Sequence, residues 1–67
     1  MTTLFDVLYR CKDTLLVRIV RNNSVIYYGD VFTYRVHGIK YSCLNKEVIG
    51  IDIVPDLTAP VLVISLA

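Results

Sequence analysis

One histidine, two cysteines and six carboxylates are the side chains here that could carry acid–base, nucleophilic or metal chemistry. Their spacing decides how far that chemistry goes. His37 and Cys43 are close enough in sequence for a thiolate–imidazole pair, but no neighbouring pattern supplies an oxyanion hole or a third group to orient the imidazole. Cys11, Cys43 and His37 together fall one ligand short of a closed zinc site unless a carboxylate joins them. The bland reading of both cysteines is reduced, mostly buried small hydrophobes. Asp6, Asp13, Asp30, Glu47, Asp52 and Asp56 show no paired spacing for a general acid and base, and the three isolated glycines make no phosphate-cradling loop. The residues therefore point away from an enzyme and imply no cofactor and no metal.

Recognition chemistry is better represented. Five tyrosines, Tyr9, Tyr27, Tyr28, Tyr34 and Tyr41, are interleaved with Arg10, Arg18, Arg35 and Lys40. Tyrosine and arginine offer rigid contact area together with hydrogen bonding and stacking, so they dominate binding surfaces. The competing reading makes two or three of these tyrosines boundary residues of a core. The binding set expected from the sequence is Arg18, Tyr28, Tyr34, Arg35, His37, Lys40 and Tyr41, concentrated in the connection from Phe32 to Asn45.

These side chains need elements to hold them. Thr3 and Asp6 form a shortened capping box ahead of an apolar stripe Leu4, Val7, Leu8 and Cys11, which predicts a helix over Leu4 to Cys11. Leu15 to Val31 reads as an antiparallel hairpin, two β-branched and aromatic runs around Asn22-Asn23-Ser24. With a three-residue loop, Ile19 faces Tyr27, Val17 faces Gly29 and Leu15 faces Val31 on an apolar side. Arg18 then pairs with Tyr28 and Leu16 with Asp30 on a mixed side suited to water or a partner. The next segment reads as a connection, with a short helix near Ile39 to Leu44 after the break at Gly38. Glu47 to Val54 alternates as a half-buried strand, Pro55 to Pro60 is a loop, and Val61 to Leu66 is a strand apolar on both faces. The whole is one small α+β domain, residues 1–67. Its short N-terminal helix packs on a mostly antiparallel four-stranded sheet, in the order helix, hairpin, connection, strand, strand.

A chain of 67 residues that is 55% hydrophobic holds more apolar surface than so small a core can hide. A homo-oligomer, a dimer or higher, is expected, with Val61, Leu62, Val63 and Ile64 at the interface. The net charge of +1 leaves no electrostatic footprint for nucleic acid. The Met-Thr-Thr-Leu-Phe-Asp start has no basic signal region, and no apolar run reaches the roughly 20 residues of a membrane span. A cytosolic home is expected.

The run Thr3-Leu4-Phe5-Asp6-Val7-Leu8, then Val17-Arg18-Ile19, Ile26-Tyr27-Tyr28-Gly29-Asp30-Val31, Lys46-Glu47-Val48 and Ile49-Gly50-Ile51-Asp52, resembles a layout of very short proteins of unknown function from phages and prophages of gut Firmicutes. The chain departs from that layout in its connection, which there is acidic and more clearly helical. The resemblance implies a phage accessory, anti-defence context, in which a small protein binds and inhibits a host protein. A nucleotide-signal sponge, caging its ligand between Tyr and Arg at an oligomer interface, and a structural oligomerisation module are the other two expectations.

Overall fold

The computed structural model describes residues 1–37, 43–55 and 59–67. Its elements are α1 (Leu4–Tyr9), β1 (Leu16–Arg21), β2 (Ser24–Asp30), α2 (Val31–His37), β3 (Val48–Val54) and β4 (Val61–Leu66). The sheet order is β2-β1-β4-β3. Two antiparallel hairpins, β1–β2 and β3–β4, are joined by parallel pairing of their inner strands β1 and β4. This is the expected α+β fold with a second helix in place of the expected connection.

The hairpin keeps the expected register by a different route. Asn22 and Asn23 both sit in the left-handed region, φ 54° and 63°, so Arg21 pairs with Ser24 across a two-residue turn. Asparagine tolerates that conformation because its short side chain bonds locally. Val20 then pairs with Val25, and the register slips so that Ile19 faces Tyr27. Ile26 is the extra, bulged residue, and it restores the pairing that a three-residue loop would have given.

Helix α1 carries the expected capping box: the Asp6 N–H donates to Thr3 Oγ1 (3.3 Å) and the Thr3 N–H donates to Asp6 Oδ2 (3.0 Å). Its free N–H groups at Leu4 and Phe5 donate to the carbonyls of Lys46 (3.0 Å) and Leu44 (2.9 Å), which ties its start to the approach of β3. It stops two residues before the expected Cys11. Asp30 starts α2 in the same manner, its Oδ1 accepting from the Thr33 N–H at 2.8 Å.

Both helices cover one face of the sheet. Leu4 and Leu8 of α1 and Val31 and Tyr34 of α2 close over Val17, Ile19, Ile64 and Leu66, and all eight are buried. β4 is apolar on both faces and lies between β1 and β3. Val61 and Ile64 are 1% and 0% exposed within a single chain, and Leu62 packs against the core. Burial inside one copy therefore removes Val61 and Ile64 from the expected oligomer interface, while Leu62 and Val63 are part-buried. β3 also departs from expectation: an edge strand beyond the reach of two short helices, it leaves Ile49, Ile51 and Ile53 exposed rather than half-buried.

Candidate binding surface

The expected binding residues separate into three groups. Tyr34 is in the core, 1% exposed, its ring edge-on to Tyr27 with centroids 4.9 Å apart. Arg35 is a clamp between the helices. Its guanidinium donates to the carbonyls of Leu8 (2.9 Å) and Cys11 (3.2 Å) and forms an ion pair with Asp13. A cation at the carbonyl end of α1 adds to the backbone bonds that the Leu8 carbonyl already accepts and complements the helix dipole. Arg10 and Lys12, which follow α1 in sequence, are both exposed. Tyr34 is thus a correction to the expected set, because amphipathic placement on α2 turns it inward; Arg35 stays exposed and reaches across to α1. His37 ends α2; Lys40 and Tyr41, with residues 39–42 of the expected helix, lie outside the described residues, and Cys43 and Leu44 at its expected end stand in a turn.

Arg18 and Tyr28 stand where the register put them, paired across β1 and β2, the guanidinium 5.3 Å from the Tyr28 ring centroid. That distance is a cation–π contact. They lie on the sheet face opposite the helices. Val63 of β4 is the next partner of Arg18, and Asp52 of β3 is the partner of Val63. One row therefore crosses all four strands as Tyr28, Arg18, Val63 and Asp52. The row on one side is Asp30, Leu16, Val61 and Val54, and Val20 with Val25 and Ser65 lies on the other.

Apart from Ser65 and Asp30, whose carboxylate turns to cap α2, this is a face of apolar side chains around Arg18 and Asp52; the Asp52 carboxylate accepts from the Ile53 N–H at the strand edge, and Val61 is buried. Arg18 and Asp52 are two strand spacings apart, about 10 Å. Val25 and Tyr28 are 57% and 47% exposed, and Leu16, Arg18, Val20 and Val63 are part-buried by their strand neighbours. Among the described residues no helix or strand packs over the face, and none of its side chains belongs to the cluster under the helices. Val63 was expected at an oligomer interface and Asp52 at no site, because only the β1–β4–β3 pairing brings them into line with Arg18.

The titratable groups with displaced pKa values are structural. The Thr3 backbone and hydroxyl bonds hold Asp6 below the ordinary carboxylate value, and the Thr33 hydroxyl and backbone do the same for Asp30. Burial raises the Cys11 thiol, which donates to the Val7 carbonyl at 3.2 Å, and Arg35 partly offsets that rise. Both cysteines are free and pack against the core. Comparison with protein families, with curated proteins and with solved structures finds no match. Among the described residues no helix is long and apolar enough to cross a membrane.

Proposed function

We propose that the protein is a non-enzymatic binding protein that docks a partner protein on its open sheet face, and that it is a phage or prophage accessory acting by inhibiting a host protein. The observation that carries the docking reading is the four-strand row Tyr28, Arg18, Val63 and Asp52 on the face the helices leave bare. A sheet face of this kind offers a flat, rigid platform whose side-chain positions are set by strand register. Tyr28 and Arg18 are of the types that anchor interfaces, and their mutual stacking orders the guanidinium before binding. The apolar neighbours supply area that contact with a partner would dry, and the opposite charges at Arg18 and Asp52 supply orientation. The host-protein setting comes from the sequence resemblance alone.

The test is affinity capture from a host lysate with three proteins: wild type, Arg18→Glu with Tyr28→Ala, and Arg35→Ala. A bound protein would then be purified and its affinity measured directly. The reading expects a partner held by wild type and Arg35→Ala but lost by the face variant. Loss with Arg35→Ala alone would return the site to the helices. A melting temperature raised by a cyclic nucleotide, and lowered again in the face variant, would favour the sponge reading instead.

A further inference from the structure

We infer that the outer edge of β3 is a self-pairing edge, on which a second copy of this chain adds antiparallel about a two-fold axis through Ile51. β3 ends the sheet, and from Ile49 to Val54 no described residue pairs with its outer side. Edges left open in this way are usually blunted by lysine, proline or a covering element. Here Ile49, Ile51, Ile53 and Val54 are 65%, 53%, 67% and 36% exposed, and Asp52 is the one charge among them.

The free stretch has defined ends. The Val48 N–H already donates to the Thr2 carbonyl (2.8 Å), so the N-terminal residues occupy the edge there. Pro55 follows Val54 and has no N–H to pair. The Ile53 N–H is met only by its neighbour's carboxylate, Asp52 Oδ1 at 2.8 Å, which marks the outward side of the strand. Ile51 shares that outward phase by the two-residue period of a strand. Ile49 to Ile53 is therefore the stretch open to pairing, with Ile51 at its midpoint.

The sequence around that midpoint is self-complementary, which an isologous contact requires. Val48-Ile49-Gly50-Ile51-Asp52-Ile53-Val54 reads valine, isoleucine, then one other residue, to the centre from either end. Pairing about Ile51 puts Ile51 opposite its own copy, Ile49 opposite Ile53, and Gly50 opposite Asp52. Centring on Asp52 instead would set two carboxylates directly opposite each other, which is repulsive. The charge placement therefore favours the Ile51 axis. The partner is a second copy rather than a foreign strand because the stretch is palindromic in its apolar residues about Ile51 and sets its one carboxylate opposite a glycine rather than opposite itself. This inference stands on the edge and is independent of the open-face reading.

Sedimentation of wild type, Ile51→Lys and Gly50→Lys tests it, with circular dichroism to show that each is folded. Ile51 is exposed, and a side chain at Gly50 would meet nothing nearer than Ser65 Cβ at 3.8 Å, so neither change disturbs the single chain. Wild type is expected to be dimeric at tens of micromolar and Ile51→Lys monomeric. Gly50→Lys brings an ammonium opposite the partner subunit's Asp52 and is expected to tighten the dimer about tenfold at low salt, a gain lost at high salt. A monomeric wild type, a dimer that survives Ile51→Lys, or a Gly50→Lys dimer no tighter than wild type would each overturn the inference or its axis.

Discussion

Tyr34 and Arg35 are adjacent in sequence and do unlike work: Tyr34 is buried rather than the exposed contact expected, and Arg35 is exposed and tied to α1. Tyr34→Ala empties a fully buried site and should cost about 3–5 kcal/mol, enough to unfold most of a domain this small. Arg35→Ala should cost about 1–2 kcal/mol, mainly through the Leu8 and Cys11 carbonyls, since its ion pair with Asp13 is exposed. Urea titrations of both variants measure this, and a Tyr34→Ala protein as stable as wild type would contradict its place in the core. Gly29 is a second residue-scale case. A Cβ there would stand 2.6 Å from the Tyr27 hydroxyl, which is fixed by its 2.8 Å bond to the Asp30 carbonyl. Gly29→Ala should therefore destabilise by about 1–3 kcal/mol, read by the same titration, although the backbone itself accepts alanine. Asp6 and Asp30 set the acid limb of stability. Their folded pKa values lie below the unfolded ones, so their contribution is complete above the unfolded value and is lost as pH falls through the folded one. The melting temperature should fall on acidification below about pH 4, and less steeply in Asp6→Asn and Asp30→Asn.

At the scale of elements, much of the chain was legible because its signals are local. Thr3 and Asp6 announce α1, and the alternation through Val17, Ile19, Tyr27 and Gly29 fixes which side of the hairpin meets the core. Ile19→Ala should cost about 2–5 kcal/mol and Arg18→Ala under about 1 kcal/mol, measured by thermal or urea unfolding. Equal costs would contradict the face assignment. α2 was hidden because Val31 to Val36 is rich in β-branched and aromatic residues of strand preference, which tertiary packing of Val31 and Tyr34 overrides. Its one local signal is Asp30, a good N-cap placed three residues before Thr33. The end of α1 was hidden too, since the cation that caps its carbonyls comes from Arg35, distant in sequence. β3 looked half-buried because alternation reports a two-faced strand, not how far the helices reach across a sheet.

For the molecule as a whole, the parallel joining of β1 to β4 is the feature local pattern could not show, and it builds both surfaces of interest. It makes β4 central and leaves β3 at the edge. It also aligns Tyr28, Arg18, Val63 and Asp52 across one uncovered face, where sequence reading had paired only Arg18 with Tyr28. The two helices account for the other face. Function is therefore expected to reside on the bare side of the sheet rather than on α2. Calorimetric titration of the captured partner with Arg18→Glu and with Arg35→Ala tests this most directly, each variant first shown to be folded. The account predicts at least about a hundredfold weaker binding for Arg18→Glu, the loss of a central interface anchor, and near-wild-type binding for Arg35→Ala. Full affinity in Arg18→Glu, or a loss confined to Arg35→Ala, would contradict it.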